Sequence, residues 1–145
     1  MSRVINPETA GKQRNQFIRG IVLALRELSG QSQPDDKTRD LAAFISLALL
    51  NIYESLDTSV AAWEKRGYWL KADRYRMEWS WTGRLGKQIG KATLESDWAG
   101  VAASAAEIAA KLANVKLPAK NRLGSPWVGA WAQLQKEASR ITTPL

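Results

Sequence analysis

Apolar positions in this chain recur at spacings of three and four, and no stretch alternates apolar with polar residues. That period is the mark of amphipathic helices, so the pattern predicts helices and no strands. A first helix opens at Asn6-Pro7, with Asn6 as its cap and Pro7 in its first turn. Phe17, Ile18, Ile21, Leu25 and Leu28 form its apolar stripe, and Gly30 to Pro34 ends it. A second helix opens with Asp35 and Asp36 at the positive end of the helix dipole and runs to Lys65-Arg66, with Gly67 just past its end. One of its faces carries Leu41, Ile45, Ala48, Ile52, Leu56 and Trp63, while Leu47 and Leu50 point the other way. A helix apolar on two sides is covered on two sides. Either a later helix or a second copy of the chain covers Leu47 and Leu50.

A third helix is expected over 68–94, joined to the second by the tight Arg66-Gly67-Tyr68 junction of an αα-hairpin. At 100° per residue its faces separate. Tyr68, Ala72, Tyr75, Trp79, Gly83, Gly86 and Gly90 share one; Leu70, Met77, Trp81, Leu85 and Ala92 lie nearly opposite. Trp79 and Trp81 therefore point in opposite directions. Each glycine inside a helix costs about 1 kcal/mol relative to alanine, and three on one stripe imply close approach of a neighbouring helix. Ser96-Asp97 caps a fourth helix with the thin stripe Trp98, Ala102, Ala105, Ile108, Ala109 and Leu112. A basic connector, Val115 to Gly124, leads to a last helix that starts at Ser125-Pro126 and displays Trp127, Trp131, Leu134, Ala138 and Ile141. The expected architecture is all-α: an antiparallel four-helix bundle with two long central helices and a short extra C-terminal helix, one domain over 1–145, loose at 1–5 and 142–145.

Composition narrows the chemistry. The chain has seven tryptophans, no histidine and no cysteine. Without histidine it lacks the side chain best suited to proton transfer near neutral pH. Without cysteine it lacks thiolate nucleophiles, zinc–thiolate sites and disulfides. Glu54 and Asp57 lie three apart on the second helix, but two carboxylates alone make a poor divalent-cation site. Asp73 and Glu78 sit among arginines and are expected to be ion-paired. No dinucleotide or phosphate-loop pattern is present: Gly86-Lys87 lacks the upstream glycine and the preceding strand. No cofactor and no metal are expected. The N-terminus lacks the apolar run of a secretory signal, and the most apolar stretch, Leu41 to Tyr53, is shorter than the roughly 18–20 residues that cross a bilayer. A cytoplasmic location without membrane contact is the expectation.

The net charge of +7 is unevenly spread, and residues 63–91 carry the largest excess. There Trp63, Tyr68, Trp69, Tyr75, Trp79 and Trp81 interleave with Lys65, Arg66, Lys71, Arg74, Arg76, Arg84, Lys87 and Lys91. Rings that stack on bases and cations that hold phosphates are the equipment of single-stranded nucleic-acid binders. Most of these rings fall on inward faces, which leaves Trp69, Arg76, Arg84, Lys87 and Lys91 as the outward stripe. Lys116, Lys120 and Arg122 would enlarge it if the fold brings the connector alongside. Two readings follow. The first is a non-catalytic helical interaction or scaffold protein that self-associates through Leu47 and Leu50 as a homo-oligomer. The alternative is a nucleic-acid or polyanion binder that uses the basic stripe.

Overall fold

The computed structural model describes residues 7–143, and those residues form helices packed on one another with no strand among them. The helices are α1 (Pro7–Ser29), α2 (Asp36–Lys65), α3 (Trp69–Trp79), α4 (Trp81–Leu94), α5 (Trp98–Lys111), α6 (Ala130–Lys136) and α7 (Ser139–Thr142). The expected cap Asn6 and the segment 1–5 lie outside the described residues, while Thr142 closes α7.

The sequence of α2 places it at the centre. Leu41, Ile45, Leu49, Ile52 and Leu56 are all enclosed, and α1, α3, α4 and α6 pack around them. On one side Gly20 of α1 receives the ring of Phe44, and Lys37 pairs with Glu27 at 3.2 Å. On another, the glycines of α4 meet α2 directly. A Cβ on Gly83 would lie 2.7 Å from the Tyr53 ring, and one on Gly86 would lie 3.1 Å from Leu49 Cβ. Backbone thus packs on side chain, and Ser46 Oγ donates a buried hydrogen bond of 2.7 Å to the Gly86 carbonyl. The glycine stripe is the device that brings α2 and α4 together. Beyond α4, α5 packs through Gln88–Ser104 at 3.0 Å.

Two helix ends obey the same rule with different residues. After α2, Gly67 at φ +78° and Tyr68 return their N–H groups to the carbonyls of Glu64 and Trp63, so the helix stops where the sequence predicts. After α4, Ser96 takes that left-handed place at φ +55°, with Asp97 donating back to Ala92. Ser96 therefore finishes α4, and Asp97 alone caps α5 by accepting from the Gly100 N–H at 3.0 Å.

Three expectations are corrected. The third helix is two helices, interrupted at Ser80. Thr82 Oγ1 donates to the Trp79 carbonyl at 2.6 Å, while the Gly83 N–H turns to Ser80 at 3.3 Å. A hydroxyl inserted into the backbone ladder bends a helix. On α5 the buried stripe is Val101, Ser104 and Ile108, with Ala102 and Ala109 outside; alanines bury so little surface that Val101 and Ile108 set the rotation. The C-terminal helix is also two, α6 and α7, and it starts at Ala130 after Gly129 at φ +85°.

These short helices answer the question posed by α2. Leu47 and Leu50, 8% and 3% exposed, lie under Ala130, Leu134 and Ile141. The chain's own C-terminus covers them, so they form no exposed self-association face. The α6 N-terminus has no cap of its own; Asp40 of α2 accepts from the Trp131 N–H at 2.9 Å and from Gly129 at 3.4 Å. Arg140 of α7 then grips Glu54 at 3.0 Å and Asn51 at 2.9 Å. Helix α2 is also the helix among the described residues long and apolar enough to cross a membrane, and most of that apolar stretch is buried against its neighbours.

Candidate functional site

Beyond the main core, the far half of α2 and α3 enclose a small separate one: Leu56, Val60, Ala72 and Tyr75, with Tyr53, Trp63 and Trp79 packed against it. Helix α3 has only eleven residues and buries a narrow stripe, Ala72 and Tyr75. The rest of its surface is outward, including apolar residues that a helix ordinarily hides. Tyr68 is 55% exposed, Trp69 62%, Leu70 64% and Met77 80%. Lys65, Arg66, Lys71 and Arg74 are exposed beside them, and none of the four has a carboxylate partner among the described residues. An open cavity of about 600 Å³ lies here, bounded by Trp63, Tyr68, Trp69, Lys71, Arg74 and Tyr75. No side chain caps the first N–H groups of α3, and no acid stands in its first turn.

Under this surface runs a ladder of rings. Trp63 meets Tyr75 edge-on at 4.7 Å, Tyr75 lies 6.5 Å from Trp79, and Trp79 stacks on Trp81 at 6.4 Å. Cations hold it at two points. Lys71 sits 4.8 Å from the Trp63 ring centre, and Arg14 of α1 sits 5.1 and 5.0 Å from Tyr75 and Trp79. Arg14 also donates to the Tyr75 hydroxyl, while its buried Nε has no partner among the described residues. Such contacts are worth about 0.5–2 kcal/mol each, more as water is excluded. The stacked Trp79–Trp81 pair corrects the expectation that the two rings point apart. Ser80 between them keeps helical dihedrals, φ −61° and ψ −26°, so it is the reach of the two large side chains that brings the rings together.

Two members of the proposed basic stripe are engaged by carboxylates. Arg76 is paired with Asp57 at 2.9 Å and Arg84 with Glu107 at 3.4 Å. Asp73 and Glu78, expected to be ion-paired, make no ion pair among the described residues. Lys87 lines a shallow cavity with Ser139, Arg140 and Thr143, and Lys91 lines another with Ile141 and Thr142. The connector packs elsewhere: Arg26 of α1 donates to the Leu117 carbonyl at 2.8 Å, and Leu117 enters the main core. Lys116, Lys120 and Arg122 are exposed there, and no hydrogen bond or ion pair joins them to α4 among the described residues. Of the predicted stripe, only Trp69 belongs to the α2–α3 tip as an unpaired outward group.

Two other features complete the survey. A groove of about 430 Å³ runs between the end of α1, the loop after it and α5, with Leu25, Leu28, Gln31, Trp98 and Ala105 among its lining. The two carboxylates held below their ordinary range both sit at helix ends away from the tip. Asp35 is stabilised as an anion by the Thr38 N–H and hydroxyl, and Glu137 by the Gln133 amide and then by Arg140. Among the described residues no cluster of carboxylates could hold a metal ion. No protein-family model, no curated protein and no solved structure matches this chain.

Proposed function

We propose that this protein is a non-catalytic helical interaction module that engages its partner through the α2–α3 tip. The observation that carries the reading is the exposure of Trp69, Leu70 and Met77 on one short helix and of Tyr68 at its N-cap, between cations that have no carboxylate partner among the described residues. Exposed large apolar residues in a cluster mark interaction surfaces, and tryptophan, tyrosine and arginine dominate the energetics of such surfaces. The absence of histidine and cysteine favours binding over catalysis. In this reading α1, α2, α4 and α5 serve as an antiparallel four-helix support. Its basis is the opposed numbering of their contacts: Gly20 with Phe44, Gly83 with Tyr53, Gly86 with Leu49 and Gln88 with Ser104.

Photo-crosslinking residues placed at positions 69 and 77, with a control at the exposed Ala103 of α5, test this in cells. Adducts are expected at 69 and 77 and not at 103. No adduct at the tip, or the same adducts at all three positions, overturns the reading. A crosslink to a second copy of the chain would identify self-association by a surface other than Leu47 and Leu50.

A second reading, single-stranded nucleic acid, is favoured by Lys71 and Arg74 beside the exposed ring of Trp69. It predicts oligonucleotide binding that weakens steeply with salt, and a slope that flattens when Lys71 and Arg74 are replaced by glutamine.

A further inference from the structure

From the shape and charge of the tip we infer its partner class: an anionic lipid bilayer surface, into whose headgroup region Tyr68, Trp69 and Leu70 insert. This rests on the reading of the tip as the docking surface and goes beyond it by naming what is docked. The geometry, the chemistry and the charge of the tip favour lipid over a folded protein or a nucleic acid.

Tyr68 is the N-cap of α3, at φ −91° and ψ 59°, and Trp69 and Leu70 are its first two residues, about 100° apart around the axis, so the three do not form one stripe. A flat protein surface would contact one or two of them. A soft interface entered by the end of the hairpin receives all three, because Gly67 turns the chain at that end. Leu70 and Met77, the two most exposed of the four, are aliphatic; they gain nothing from stacked bases or phosphates but gain free energy on leaving water. Tyrosine and tryptophan are the residues that favour the boundary between hydrocarbon and water. Lys65, Arg66, Lys71 and Arg74 surround the same end and have no carboxylate partner among the described residues. Basic residues beside an anionic leaflet are attracted to it, and their long stems let the charge reach the phosphates while the rings go deeper. Neither the apolar residues nor the cations alone would give stable attachment; membrane-surface segments combine the two.

The test is flotation of the full-length protein with vesicles of phosphatidylcholine alone and of phosphatidylcholine mixed with phosphatidylglycerol, at about physiological salt. Binding is expected only to the anionic vesicles. The double variant Trp69→Ala/Leu70→Ser should bind about tenfold more weakly or less, with its thermal melting checked to be unchanged. Lys87→Gln/Lys91→Gln, which alters charge without touching the tip, should bind as the parent does. Bromine-labelled acyl chains should quench the fluorescence lost in Trp69→Phe. No flotation with anionic vesicles overturns the proposal, as does flotation equal in the parent and the Trp69→Ala/Leu70→Ser variant. If vesicles fail but crosslinks at 69 and 77 capture a protein or an oligonucleotide, the lipid proposal falls and the docking reading stands.

Discussion

The body of the molecule and the α2–α3 tip use aromatic residues in opposite ways. In the body, Trp127 is buried with Ile18, Ile21, Leu41 and Ile45, and the rings there fill space. At the tip the small core of Leu56, Val60 and Ala72 is too slight to hide its rings. Trp63, Tyr75 and Trp79 follow one another edge-on and tilted, gripped by Lys71 and Arg14, and Trp69 is left outside. The difference teaches that tryptophan abundance has two causes within this one chain. One is packing, and the other is a surface kept apolar where folding did not require it.

The sharpest test of that contrast is truncation in the body. Ile45 is fully enclosed on α2, so Ile45→Ala should lower unfolding free energy by about 2–5 kcal/mol, measured by urea denaturation. A loss as small as that of a surface substitution would mean the body is no better packed than the tip.

Asp40→Ala comes next. It removes the acceptor for the Trp131 and Gly129 N–H groups, the only side-chain cap on α6 among the described residues. A loss of about 0.5–2 kcal/mol is expected, the usual worth of a helix cap. Hydrogen exchange should localise the loss to α6 and the residues it covers, Leu47 and Leu50. Protection unchanged in α6 would show that the helix needs no such anchor.

Arg14 joins the two regions, and Arg14→Met keeps an unbranched apolar stem while removing the charge over Tyr75 and Trp79 and the donor to the Tyr75 hydroxyl. A loss of about 0.5–2 kcal/mol is expected, with faster hydrogen exchange in α3 and no change in α5. Equal acceleration throughout would make the tip a part of the body rather than a separate layer on it.

Acid should also act on the body. Asp35 and Glu137 have folded values below their ordinary 3.8 and 4.5, so the unfolded chain binds protons first as pH falls. Their contribution is therefore full above the ordinary values and disappears as pH drops through the lowered ones. Acid titration of stability should steepen below about pH 4.5, and Glu137→Gln should reduce that steepness. An unchanged slope would detach Glu137 from the hold on α7.

Much of the body was legible because periodicity and end signals act locally. The stripe of α2, the stop at Gly67 and the closeness implied by Gly83, Gly86 and Gly90 each follow from residues within a few positions. The missed features depend on partners distant in sequence or on a single inserted hydroxyl. Thr82 interrupts the helix at Ser80 by bonding the Trp79 carbonyl, the Trp79 and Trp81 rings meet through their side chains, and no periodicity reports either. Asp40 capping α6 spans 91 positions. The pairing of Arg84 with Glu107 rather than with phosphate depends on α5 lying beside α4. Of the tip, Trp69 was legible as an outward ring. Leu70 and Met77 share a stripe with Leu85 and Ala92 in the sequence, and periodicity alone does not report that the first two are exposed and the last two buried.

The smallest expected effect is the most telling. Trp69 and Leu70 are each more than half exposed, so Trp69→Ala/Leu70→Ser should change unfolding free energy by no more than about 0.5 kcal/mol. Residues this large, retained at a surface where they add nothing to stability, need another reason to be apolar. If instead the double variant loses as much as a core truncation, Trp69 and Leu70 are packed in solution. The contrast between body and tip would then collapse, and the docking surface with it. If stability holds while anionic vesicles no longer float the protein, folding and binding are separated at these two side chains. That outcome would assign the apolar character of the α2–α3 turn to recognition alone.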